Sequence, residues 1–234
     1  FDLNKSTDAQ CIEYFRFRKE DIFRLGEALS IPDKIICENR VRANGTEAYC
    51  VFLRRLVYPN RLSDIEPMFG RHRTTLSMIV KEVTNLIMDT HGHLLSSLQQ
   101  PWLNLQSLQS YADAVNRKGA PLKNCIGFID GTVRLICRPT VNQRIVYNGH
   151  KRTHALKYQS IVLPNGLIAN MYGPIEGRRH DSALLRLSEK MENLEVGGRF
   201  TLYGDPAYPI RDWLLSPYKS AHITDDQRLF NARM

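Results

Sequence analysis

The sequence predicts an all-helical region over residues 1–120 followed by an α/β domain over residues 121–234. Three observations predict it. In the first half, apolar residues recur every three or four positions between charged ones, the spacing of amphipathic helices. Beyond Pro121 the pattern changes to short apolar runs that end on an acidic residue, as buried strands handing over to polar loops do. Between two such runs, Asn165-Gly166 carries the turn chemistry of a tight hairpin.

In chain order, FRFRKEDIFRLGEALSI places Phe15, Ile22, Leu25 and Leu29 at helical intervals, predicting one amphipathic helix. TEAYCVFLRRLVYP offers Thr46 as an N-cap, and Pro59 marks where that helix has stopped. Residues 60–69 read as a short helix. Gly70 then begins a turn into the longer helix of RHRTTLSMIVKEVTNLIMDTHG, with Leu76, Ile79, Val80, Val83 and Ile87 on its apolar face and Gly92 beyond its end. Two helices joined this way resemble a helix-turn-helix, which reads a major groove with the start of its second helix. Arg71, His72, Arg73 and Thr74 are then the DNA-facing candidates, because they combine charge with hydrogen-bonding capacity. A plain helical bundle with a charged face fits the same pattern, and Pro67 inside the first helix counts against the motif.

In the second half, residues 125–129 form a buried strand followed by Asp130-Gly131-Thr132, and residues 156–163 and 167–172 pair as a hairpin around Pro164-Asn165-Gly166. HDSALLRLSEKMENL returns to helical spacing through Leu184, Leu187 and Met191. Residues 199–203 form a fourth strand, ending at Gly204-Asp205, and PIRDWLLSP suggests a further helix. A strand-end aspartate is usually a turn or cap residue. Two of them, Asp130 and Asp205, raise the expectation of a shared site.

Carboxylates suit hard divalent cations such as Mg²⁺, and two such ions can activate water and neutralise the charge of a phosphodiester under attack. Zinc has little support, since no compact His/Cys cluster is visible. Asp181, in RRHDS, is either a cap on the helix that begins SALL or an auxiliary residue of the site, with His180 beside it. Glu176 reads as a loop or surface acid. No acidic residue occurs between Asp130 and Glu176, an interval that carries Arg134, Arg138, Arg144, Lys151, Arg152 and Lys157, with Arg178 and Arg179 just beyond. Basic groups beside carboxylates suit nucleic acid, holding flanking phosphates while metal ions occupy the acids. His150, His154, Tyr147 and Tyr158 add to this tract.

The bulk properties agree. Of 234 residues, 43% are hydrophobic and 24% charged, which predicts a soluble packed protein. No run of apolar residues is long enough for a membrane span. The net charge of +8 is compatible with a polyanion. The five cysteines have no CxxC spacing and read as buried free thiols in a reducing compartment. The opening FDLNKSTDAQ has no basic-plus-apolar leader and no initiating Met, and reads as a trimmed chain.

Taken together, GFIDGT, KRTHALKYQSIVLPNGLI, GRRHDSALL and LYGDPAYPI, in this order, resemble the PIF/Harbinger transposase-derived nucleases, and the preceding helices resemble the region before their nuclease domain. The resemblance implies a ribonuclease-H-like fold and an Asp-Asp-Glu metal triad with Asp130 and Asp205 as its first two acids. PAY after Asp205 departs modestly from the family's text, and Asp181 matches a recurrent HDS motif outside the triad. The third acid is expected on a helix past Met234. The implied activity is two-metal cleavage of DNA with Mg²⁺, or Mn²⁺ in its place, in the nucleus, with the cytoplasm as a second compartment. Some relatives work with a Myb-like DNA-binding partner, and self-association is a further expectation. An inert nuclease-like domain that binds DNA or acts as a scaffold is the alternative, and RNA as the substrate stays open.

Overall fold

A computed structural model describes residues 1–58, 61–188 and 199–234. The chain forms two compact units, Phe1–His93 and Leu94–Met234. The expected boundary at 120/121 falls inside the second.

The first unit contains α1 (Asp8–Phe15), α2 (Lys19–Ala28), β1 (Lys34–Ile36), β2 (Arg42–Asn44), α3 (Gly45–Val57), α4 (Leu62–Phe69) and α5 (Arg73–His91). The single helix expected around Phe15 and Ile22 is broken. Arg16 takes the left-handed conformation that ends α1, and the Asp8 carboxylate accepts the backbone N–H of Lys19 at the start of α2. The helical reading also misses the β1–β2 hairpin, whose turn keeps Arg40 at positive φ. Asn44, rather than Thr46, caps α3 by accepting the N–H groups of Thr46 and Glu47. Pro59 and Asn60 lie outside the described residues. Phe15, Ile22, Tyr49, Ile65, Leu76 and Ile79 are buried in one apolar core. The long helix ends at Gly92, as expected, and its buried residues Leu76, Ile79 and Val83 repeat at helical spacing.

The second unit contains α6 (Leu105–Arg117), β3 (Cys125–Leu135), α7 (Gln143–Val146), β4 (Tyr147–Asn148), β5 (Thr153–Val162), β6 (Ile168–Glu176), α8 (Asp181–Leu187), β7 (Thr201–Gly204), β8 (Leu214–Leu215) and α9 (Asp225–Arg233). The sheet runs β4-β5-β3-β7-β8, with β6 also on β5. β5 is antiparallel to β3 and β6, whereas β7 is parallel to β3 and β8 parallel to β7. A helical region followed by such a mixed sheet-and-helix core is consistent with the ribonuclease-H-like fold expected. Ile126, Ile129, Ile161, Leu202 and Leu214 build the sheet's core, and Leu108 and Ala112 bring α6 onto it.

Two expectations need correction. β3 does not stop before Asp130 but continues to Leu135, held along its far half by β5. PIRDWLLSP forms no helix; Leu214 is fully buried and pairs with Leu202 as β8, between prolines that leave little room for helical turns. The hairpin is present as expected, with Gly166 at positive φ and Val162 opposite Ile168. The helical spacing expected through Met191 lies outside the described residues beyond α8.

Candidate active site

Parallel pairing of β3 with β7 sets the site. The register ends at Ile129 opposite Gly204, so Asp130 and Asp205 leave the paired strands at adjacent positions. Ile129 is buried, as its place in the core requires, and the next residue on an alternating strand faces the other way. Both acids are exposed. Asp130 accepts the N–H of Gly131 at 2.7 Å, and Asp205 accepts that of Ala207 at 2.9 Å. The Asp205 turn is closed by the Tyr208 N–H, which donates to the Asp205 carbonyl, and by the Lys219 ammonium, which donates to the Pro206 carbonyl.

Asp181 joins these acids through chain folding that its sequence neighbours do not announce. His180 is the N-cap of α8 but makes no side-chain capping bond, and Asp181 stands in the first helical turn. Its carboxylate accepts a 2.9 Å hydrogen bond from the Lys157 ammonium on β5. An acid in a first turn is favoured by the helix dipole, but here the specific partner is the lysine.

Tyr208, which the sequence reading did not single out, lies beneath the cluster. It is 1% exposed, and its hydroxyl makes no hydrogen bond among the described residues. Burial pushes its pKa up, and the nearby carboxylates of Asp181, Asp205 and Asp130 push it further. One phenol therefore senses all three acids. Gly131 is the second residue missed. A Cβ there would lie 2.7 Å from Asp181 Oδ1 and 3.6 Å from the Tyr208 hydroxyl.

Two exposed carboxylates on adjacent strands suit a hard cation that keeps several water ligands. Among the described residues, no group of three His, Cys, Asp or Glu is arranged to hold a metal ion. The residues present therefore fit a divalent ion in part, through Asp130 and Asp205.

The basic tract divides. Arg134, Arg138, Arg144, Lys151, Arg152, Arg178 and Arg179 are exposed, as phosphate contacts require, with Arg179 paired to Glu176 and Arg138 bonded to Gln143. The Arg179 guanidinium holds the Glu176 carboxyl below its usual range. Lys157 departs from the expected phosphate contact: it is 7% exposed and committed to Asp181, because its place on β5 faces it inward.

In the first unit, Gly70 takes a left-handed φ of 62° that joins α4 to α5, a conformation glycine adopts without cost. His72, Arg73 and Thr74 are exposed at the start of α5, although the His72 ring accepts the Thr74 N–H and Arg73 pairs with Glu66. Arg71 departs from the DNA-facing expectation. Its guanidinium makes two 2.8 Å bonds to Glu47, which is only 11% exposed.

Residues 129–234 match the family described as DDE superfamily endonuclease. The matched stretch carries both Asp130 and Asp205. The chain is also similar to "Protein ALP1-like" of Arabidopsis thaliana, at 26% identity over 201 residues and 78% of this chain. That alignment spans about half of the relative, 47% of its length. No solved structure matches the chain.

Proposed function

We propose that the second unit, read as a ribonuclease-H-like domain, is a metal-dependent DNA endonuclease in which Asp130 and Asp205 hold the metal ions. The observation that carries this reading is the register that ends at Ile129 and Gly204 and delivers the two acids side by side. Two divalent ions, Mg²⁺ or Mn²⁺, would supply an activated water and neutralise phosphoryl charge when bound. Asp130 and Asp205 would hold those ions at the sheet's end. Arg134, Arg138, Arg144, Lys151, Arg152, Arg178 and Arg179 grip flanking phosphates, which aligns the scissile bond and gives binding its salt dependence. Water attack on the phosphate then leaves a 3′-hydroxyl on the DNA.

The start of α5, with His72, Arg73 and Thr74, is a second DNA-contacting element in this reading, placed as the recognition end of a helix-turn-helix. A nuclear site of action, a Myb-like partner and self-association accompany the proposal through the family resemblance. No helix among the described residues is long and apolar enough to cross a membrane.

A second reading, a domesticated domain that binds DNA without cutting it, is favoured by the lack of a three-ligand group among the described residues. Cleavage assays of the full chain with Mg²⁺ or Mn²⁺ on DNA, RNA and hybrid substrates separate the two. The endonuclease reading expects DNA cleavage that Asp130→Asn and Asp205→Asn each abolish. Salt-sensitive DNA binding without cleavage overturns it in favour of the second.

A further inference from the structure

Lys157 is the buried member of an otherwise exposed basic tract. A buried ammonium is costly unless a well-placed partner offsets its lost hydration. Its place here is central: β5 sets it opposite Val133, three residues beyond Asp130 on β3. Its ammonium meets Asp181 Oδ1 at 2.9 Å, with the two side chains 9% and 22% exposed.

The same Oδ1 packs over Gly131, 2.7 Å from the point a Cβ would occupy, and so rests on the backbone directly after Asp130. The Tyr208 hydroxyl lies 3.6 Å from that point. Among the described residues it is buried without a hydrogen-bond partner, and a buried unpaired hydroxyl in a native fold calls for a physical explanation. Tyr208 also closes the turn that carries Asp205. The ion pair and the Tyr208 hydroxyl therefore both lie against Gly131, the residue directly after Asp130.

We propose that Lys157 and Asp181 are positioning residues for Asp130 and Asp205, acting through Gly131 on one side and Tyr208 on the other. This rests on the endonuclease reading above. Lys157 fixes the Asp181 carboxylate. In the metal-loaded site, Asp181 accepts the Tyr208 hydroxyl's hydrogen bond, directly or through one water, and so fixes the Asp205 turn. Partners that orient ligands in this way typically change metal affinity by about 10- to 100-fold when removed.

The test measures three quantities on the full chain: Mn²⁺ affinity from the electron paramagnetic resonance of free Mn²⁺, metal-free DNA affinity by fluorescence anisotropy, and the thermal midpoint. Tyr208→Phe and Lys157→Met are expected to weaken Mn²⁺ binding by about 10-fold or more and to leave metal-free DNA affinity unchanged. Lys157→Met/Asp181→Leu removes both buried charges, which often leaves stability intact, and is expected to stay folded with the same weakened Mn²⁺ binding. A folded double variant with wild-type Mn²⁺ affinity overturns the proposal and leaves the endonuclease reading standing. Lowered DNA affinity with unchanged Mn²⁺ binding also overturns it, returning Lys157 to a phosphate contact. Wild-type protein whose Mn²⁺ binding is indifferent to Asp130→Asn removes the endonuclease reading and this proposal together.

Discussion

Gly131→Ala tests the packing of the site most directly. Gly131 is not at positive φ, so the backbone itself accepts alanine. The difficulty is space. The new methyl would sit 2.7 Å from Asp181 Oδ1 and 3.1 Å from its Cγ, whereas ordinary contact begins near 3.4 Å. The carboxylate must withdraw, and the oxygen that moves is the one holding Lys157 at 2.9 Å. A hydrogen bond to a charged group contributes about 1.5–3 kcal/mol. Replacing glycine by alanine returns about 0.4–1 kcal/mol through the unfolded chain. The net expectation is a loss of roughly 1–2 kcal/mol.

Urea unfolding measures it. With a slope of about 1–3 kcal/mol/M, the midpoint should fall by roughly 0.3–2 M without a change in slope. The decisive control repeats the substitution in a Lys157→Met/Asp181→Ala background, where the oxygen is gone and alanine should be neutral or mildly stabilising. An equal loss in both backgrounds refutes the packing argument. A wild-type midpoint for Gly131→Ala alone refutes it as well.

Arg71→Ala should lower stability by about 2–3 kcal/mol, less than for a fully buried pair, because Glu47 is left without its bidentate partner. Metal-free DNA affinity should stay unchanged; the reverse pattern, lost DNA binding at wild-type stability, would restore Arg71 to the DNA face. The thiols give a pH prediction. Burial pushes Cys50 up to about 12 and Cys125 up to about 11, from an ordinary 9.0. Because the folded state holds the proton more tightly, their stabilisation is complete below pH 9 and is lost as pH rises toward 11–12. The thermal midpoint should therefore fall across that window, and fall less in Cys50→Ala. At neutral pH, Ellman's reagent should label the exposed Cys137 in the native protein and the other four cysteines only after unfolding.

The elements legible in the sequence are those whose signal is local. Leu76, Ile79 and Val83 announce α5 by spacing, and Asn165-Gly166 announces the β5–β6 hairpin by its turn. Elements set by tertiary contacts were harder. α6 is an exception, since Leu108, Ala112 and Val115 stand at helical spacing behind an Asn104 cap. β8 is two residues long and exists because Leu214 lies against Leu202, a contact no window of sequence contains. The break between α1 and α2 rests on Arg16 at positive φ, a conformation uncommon for a side-chain-bearing residue. In the site, Asp130 and Asp205 were legible as acids after apolar runs. Lys157 departs from the exposed tract because charge counts do not show facing: on β5 the buried residues alternate, and Lys157 falls on the inward set with Ala155, Gln159 and Ile161.

That alternation bears on how the site opens. β3 continues six residues past Ile129, from Asp130 to Leu135, while its parallel partner β7 stops at Gly204. From Asp130 onward, β5 alone holds β3, so the edge that β7 would have covered is left for the Asp205 turn and for Asp181. Strand length mismatch thus leaves that edge of β3 uncovered by β7, and the inward-facing Lys157 supplies the counter-charge for Asp181, which packs over Gly131. The exposed arginines, from Arg134 on β3 and Arg144 on α7 to Arg178 and Arg179 after β6, are not needed to neutralise Asp181, which Lys157 already meets. A tract that reads as one block of positive charge in sequence is divided into a buried Lys157–Asp181 ion pair, set by strand alternation, and an exposed outer set in which Arg179 pairs with Glu176 and Arg138 bonds to Gln143.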